Sequence, residues 1–360
     1  MHPYGKNSKY LLVAALLVLP LLLQPFGANW VRIADTALLY VMMALGLNIV
    51  VGYAGLLDLG YVAFYAVGAY LVALLTSSHL TDNFTWIASI FSAGMDAPWW
   101  VTLPAGALLA AFFGVLLGAP TLRLRGDYLA IVTLSFGEIV RILINNLGHP
   151  INVTNGAKGL GPIASINFFG LDLGKPLCIG NYEIASVTLY YYLFLVVTLF
   201  AVSLCYRVQD SRIGRAWMAI RDDAVAAEAM GINTRNMKLL AFGLGASLGG
   251  VSGVLFGTLQ GFVSPEAFSL QESVLVVAMV VLGGIGHIPG VILGAVLLTV
   301  LPEVLRYVVG PLQTMTDGRL DAGIVRQQVI ALAMIGVMLL RPRGIWPSPE
   351  HGKSFPPTSL

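Results

Sequence analysis

The chain has 360 residues, of which 57% are hydrophobic and 11% charged, and its formal net charge is +2. Soluble domains carry about 25% charged residues, so this composition excludes an ordinary water-soluble enzyme and points to an all-α, polytopic membrane protein. The small net charge gives no reason to expect a nucleic-acid partner. Cys178 falls in a polar loop and Cys205 near the far end of the next expected span, about 30 Å away, too far for a disulfide.

Residues 1–30 read as an N-terminal segment and first span. Lys6 and Lys9 ahead of an apolar run are similar to the start of a signal peptide, but Gln24-Pro25-Phe26 stands where a small-residue cleavage site would be. The expectation is a retained helix. Allowing ~20 apolar residues per crossing, about ten spans are predicted, near 10–23, 33–51, 57–76, 99–117, 128–146, 187–206, 239–259, 273–282, 289–309 and 325–340. The eighth is short and rich in Val and Gly, and is expected to be tilted or broken.

Loops on the inner side retain positive charge. With the N-terminus inside, Lys6, Lys9, Arg123, Arg125, Arg207, Arg212, Arg215, Arg221, Arg235, Lys238, Arg341, Arg343 and Lys353 are cytoplasmic. Arg32, Lys158, Lys175, Arg306, Arg319 and Arg326 lie outside or at its margin, and the loop 77–98 carries no Lys or Arg. Both termini are therefore expected in the cytoplasm. Ala44, Gly46, Leu47, Gly52 and Gly60 align at one offset with Ala241, Gly243, Leu244, Gly249 and Gly257. An inverted repeat is the plan this suggests, with spans two to five and seven to ten as its halves.

Between the sixth and seventh spans, residues 207–238 are charged and helix-prone. Asp210 or Ser211 can cap a short helix with Ile213, Trp217 and Ile220 on one face. Asp222 or Asp223 can cap a second, closed by Gly231 in a left-handed conformation. Its alanines, including Ala227 and Ala229, let another protein approach, while Arg221 and Glu228 supply charge for register. The competing reading is an amphipathic helix on the membrane surface, for which the alanines provide little apolar bulk.

The stretch from Ala219-Ile220-Arg221 through Glu228-Ala229-Met230-Gly231-Ile232-Asn233 resembles the coupling loop of the branched-chain amino acid permease family of ABC importers, LIV-type M subunit. So do 46–60, 123–134, 154–160 and 281–286, and the likeness covers about residues 35–345. Ala226-Ala227-Glu228-Ala229 departs from a clean Glu-Ala-Ala, which leaves the docking register open. The resemblance implies a type II-like ABC permease unit over 31–345 and a cytoplasmic tail over 346–360, in a bacterial inner membrane. It also implies a homologous H-type permease partner, two cytoplasmic ATPase subunits and an external (periplasmic) amino-acid-binding protein. No cofactor is expected. Gly352-Lys353-Ser354 ends like a phosphate-binding loop, but Pro347 occupies its first position, so ATP hydrolysis is assigned to the partners.

Four charged residues are candidates for the pathway or for packing. Glu138 and Arg141 share a helix face at i, i+3 inside a span, either meeting the two charges of a zwitterionic cargo or pairing to fix helix packing. Asp58, in a glycine-rich segment, and Glu272, at the start of the eighth span, are gating candidates or water-exposed span ends. His287 lies in a tight turn and reads as inert. The outer loop 147–185 is expected to form turns rather than a domain, on the face where a soluble receptor would dock. An ion-coupled carrier would place more carboxylates in its spans and have no use for a docking loop. An importer for urea, short amides or sugars remains the competing cargo class.

Overall fold

The structure is a computed structural model that describes residues 6–24, 27–90, 95–121, 124, 126–168, 171–179, 182–315 and 344–346, with isolated helical positions between 328 and 340. Most of the tenth expected span, the tail beyond Trp346, Arg123, Arg125, Arg319, Arg326, Arg341, Arg343 and the Gly352-Lys353-Ser354 match lie outside the described residues.

Helices dominate. α1 (Lys6–Leu23) is followed by α2 (Ala28–Asn48), which continues through a π turn, Ile49–Tyr53. An irregular segment, 54–61, then leads to α3 (Val62–Thr76). Next come the short α4 (His79–Asn83) and α5 (Thr85–Ile90), then α6 (Trp99–Thr121) and α7 (Asp127–Asn146). α8 (Ser186–Gln209) precedes the small α9 (Arg212–Asp222) and α10 (Ala224–Ala229), and α11 (Thr234–Gln260), α12 (Leu270–Gly283) and α13 (Ile288–Met315) complete the set. Among the described residues, five helices are long and apolar enough to cross a membrane: Ala28–Tyr53, Trp99–Thr121, Ser186–Gln209, Thr234–Gln260 and Ile288–Arg306. The chain is thus a multi-pass membrane protein. The fourteen residues of α12 reach about 21 Å, short of a ~30 Å hydrocarbon core.

The third expected span starts later than its hydropathy suggested. Residues 57–61 are apolar enough to read as helix, yet they belong to the irregular segment, and Gly55 sits at φ +68°. The 147–185 loop also holds more order than turns alone. It forms two antiparallel hairpins, β1 (Asn167–Phe168) with β2 (Leu171–Asp172) and β3 (Leu177–Ile179) with β4 (Tyr182–Ile184). Leu160 bridges to Val263, tying this loop to the chain after α11.

α11 is the central helix, packed against α6, α3 and α2. In lipid, helices gain little from apolar burial against one another, so close backbone approach between small residues carries the packing. Gly250 shows it: a Cβ there would collide with the Gly106 carbonyl and with Ala110, while a Cβ on Gly68 would collide with the Gly250 carbonyl. The packing is reciprocal. α11 leans on α6 and α3, α2 leans on α13 and α12, and α2 meets α11 where Gly46 and Gly245 abut. The residue alignment expected from sequence does not equate like elements, because 52–60 spans the break after α2 whereas 249–257 lies within unbroken α11. Cys205 is a free, buried thiol.

Candidate functional site

The irregular segment 54–61 is held by side chains from distant parts of the chain. A chain leaving a helix strands carbonyls and amides that need new partners when buried. The Leu59 amide donates to Thr133 Oγ1 of α7 at 3.0 Å, and the Ser273 hydroxyl of α12 donates to the Leu59 carbonyl at 2.5 Å. Asp58 accepts from the Gly60 amide at 2.9 Å. The Tyr61 hydroxyl reaches across to the Gly245 carbonyl of α11 at 2.7 Å. At the other end, Arg221 Nη1 donates to the Gly52 carbonyl at 2.6 Å, and the Gly286 amide donates to Asn48 Oδ1 at 2.8 Å. A cleft opens beside the break, lined by Leu59, Gly60, Glu138, Ser269, Leu270 and Ser273 among others.

The segment between α8 and α11 folds as two capped helices. Ser211 Oγ accepts from the Ile213 and Gly214 amides, both at 3.2 Å, and caps α9. Asp223 Oδ1 accepts from Val225 at 2.8 Å and Ala226 at 3.1 Å, capping α10. Gly231 follows α10 at φ +86°. The apolar face of α9 turns inward: Trp217 is fully buried, and its Nε1–H donates to the Met237 carbonyl of α11 at 2.7 Å. α10 presents the opposite character, with Val225 and Met230 standing 64% and 83% exposed.

A family model described as the permease component of branched-chain amino acid transport systems matches residues 29–340. The chain belongs to this family. The high-affinity branched-chain amino acid transport system permease protein LivM of Escherichia coli K12 is 38% identical over 351 residues, which is 94% of this chain and 75% of that protein. LivH of Salmonella typhimurium is 26% identical over 332 residues, covering 90% of this chain and 96% of its own length. BraD of Pseudomonas aeruginosa is 28% identical over 324 residues, covering 87% and 93%. No solved structure matches the chain.

Within this permease the expected site residues fall into two groups. Glu228, Ala229 and Gly231 are exposed on the α10 elbow, but Ala227 is 4% exposed and faces inward, so it does not form part of an open docking surface. Arg221 Nη1 reaches the Gly52 carbonyl of the π turn, while its Nε lies 3.9 Å from Asp222 Oδ1. Asp58 is wholly buried rather than a water-exposed span end. Glu138 and Arg141 form a two-pronged ion pair on α7, with Arg141 Nε 3.0 and 3.2 Å from the two carboxylate oxygens. Their side chains remain 38% and 34% exposed. Glu272 accepts from the Tyr40 hydroxyl of α2 at 2.7 Å. His287 Nδ1 lies 3.0 Å from the Trp346 carbonyl.

Sequence reading missed Asn48, Thr133 and Ser273, polar residues common enough in apolar helices to carry no signal of their own. It missed Val225 and Met230, which were legible as the bulky positions beside the alanines. It also missed Asp35, which is wholly buried in α2 with no hydrogen-bond partner for either carboxyl oxygen among the described residues.

Proposed function

We propose that the chain is the transmembrane permease subunit of an ATP-binding cassette importer for branched-chain, hydrophobic amino acids. It works by alternating access, driven by separate ATPase subunits, and is not itself an enzyme. The observation that carries this reading is the α10 elbow. A capped helix with exposed Val225 and Met230 on a chain of this family is suited to receive a soluble motor. In this reading the chain pairs with a homologous H-type permease, binds two cytoplasmic ATPases at residues 207–238, and receives cargo from an external binding protein. Both termini lie in the cytoplasm of a bacterial cell, with 31–345 as the permease unit, 1–30 as a preceding segment and span, and 346–360 as a tail.

The reciprocal packing of α2, α3 and α6 with α11, α12 and α13 supports an inverted repeat, equated element by element. Each half has a long helix, an irregular run, a short helix and another long helix. Broken helices of this type place cargo sites near the midplane. The half-exposed Glu138–Arg141 pair would be costly against lipid, so in this reading that face of α7 borders the pathway.

Reconstitution tests it. The chain with the H-type permease, ATPases and binding protein in proteoliposomes should take up leucine only with ATP. Leucine should be displaced by isoleucine and valine but not by urea, short amides or sugars. Leucine uptake by the chain alone, or displacement by urea, would defeat the proposal.

A further inference from the structure

We infer that Arg221 is the link that carries movement of the α10 elbow to the break after α2. The inference rests on the proposed docking of ATPases at that elbow. Sequence alone suggests a docking charge; the geometry assigns a positioning residue whose Nη1 reaches the π turn.

Arg221 stands at the end of α9, two residues before the Asp223 cap of α10. Its Nη1 donates to the Gly52 carbonyl, at the point where the π turn gives way to irregular backbone. A hydrogen bond from a charged donor to such a stranded carbonyl is among the stronger ones available. One flank of the side chain is closely packed, although 41% of it stays exposed and Nε lies 3.9 Å from Asp222 Oδ1. A Cβ on Gly55 would lie 2.7 Å from Arg221 Cγ, and one on Gly286 would lie 3.2 Å from Nη1 and 3.3 Å from the Gly52 carbonyl. Both glycines have positive φ, +68° and +83°, which admits the close approach and disfavours other residues.

These contacts close a ring. Arg221 holds Gly52, the π turn leads back to Asn48, and Asn48 holds Gly286 in the α12–α13 turn, which abuts the Arg221 guanidinium. α12 then runs from that turn to Ser273, which grips Leu59 at the far end of the break. α9 is a stiff lever for this ring, because buried Trp217 fastens it to α11. A displacement of α10 therefore reaches both ends of the 54–61 segment through one guanidinium.

The test uses the full complex in proteoliposomes. Arg221→Met keeps the aliphatic stem and removes the donor. ATPase subunits should remain bound and hydrolyse ATP, while leucine uptake per ATP falls about tenfold or more, the scale of a lost charged hydrogen bond. Arg221→Lys should recover part of that ratio. Unchanged uptake per ATP in Arg221→Met would overturn the inference, as would loss of the ATPases from the complex, which would make Arg221 a docking residue. If Arg221→Met fails to assemble, Arg221→Lys is measured in its place, and parity with wild type overturns the inference. Val225→Glu reports on the underlying reading separately: ATPase retention undiminished in that variant defeats docking at the elbow, whatever Arg221 does.

Discussion

The Tyr191 hydroxyl donates to the Leu16 carbonyl at 2.9 Å, and Leu16 is the residue whose helical partner is Pro20. Proline has no amide hydrogen, so the carbonyl four residues earlier is stranded in mid-helix. In an apolar setting such a carbonyl needs a donor from elsewhere, and α8 supplies it, with Tyr192 reaching the adjacent Leu17 carbonyl at 3.2 Å. The first helix is thus fastened to the bundle by a defect in its own ladder. Tyr191→Phe should cost about 1 kcal/mol and loosen α1 without altering the other helices. Protease cleavage between α1 and α2 should accelerate while the remaining fragment stays folded; an unchanged cleavage rate would show that the bond carries nothing.

The α10 elbow depends on its two ends. Asp223→Ala removes the acceptor for two amides and should cost about 1 kcal/mol of local stability. Gly231→Val forces a β-branched residue to φ +86°, costing about 1–2 kcal/mol, although no neighbouring atom obstructs its side chain. Asn at this position should be the mildest replacement. Both Asp223→Ala and Gly231→Val are expected to weaken ATPase retention by the purified complex while membrane insertion stays normal. Retention at wild-type level in both would mean that the elbow is not the docking surface.

Those two ends were legible in sequence because capping is local: a Ser or Asp before a helical run and a Gly after it act within one turn of chain. The span positions were legible for a similar reason, since hydropathy needs only a window. What stayed hidden is long-range. Asn48 meets Gly286 across 238 residues, and Arg221 meets Gly52 across 169. Neither partner is unusual by composition. The break after α2 was equally hidden, because Leu56, Leu57 and Leu59 are as apolar as helix residues, and the Leu59 backbone is satisfied by side chains from distant α7 and α12. Arg221 was read as a surface charge because its segment is polar; its contact with the π turn depends on Gly52, Gly55 and Gly286, all remote from it in sequence.

In the hairpin formed by β1 and β2, hydrogen bonds from the Ser165 hydroxyl and the Gly174 amide hold the Asp172 carboxyl below the usual carboxylate range, with Lys175 adding to the effect. The ionised form is therefore favoured in the folded loop. Its contribution to loop stability is complete above the unfolded value of about 3.9 and is lost as pH falls through the lower folded value. Hydrogen exchange at Gly174 and Leu173 should be protected equally from neutral pH down to about 4 and should then lose protection, after correction for intrinsic rates. Asp172→Asn should flatten that loss; an Asn variant with the same pH profile would exclude this carboxylate as its source.

Glu138 and Arg141 offer a sharper discrimination, because a pair that only braces helices and a pair that meets cargo respond differently to joint removal. Taking one partner leaves an unpaired charge at membrane depth, so Glu138→Gln alone should impair assembly more than the double change to Gln and Met. If the pair served packing alone, the double variant would regain uptake along with assembly. The exposed flank of the pair and the place of Glu138 beside Gly60 and Ser273 lead to the other outcome. The double variant should assemble with its partners, retain ATP hydrolysis, and transport leucine at about a tenth of the wild-type rate or less, in line with the loss of one charged contact to a zwitterion. Wild-type uptake by the assembled double variant would remove the pair from the pathway and return it to packing.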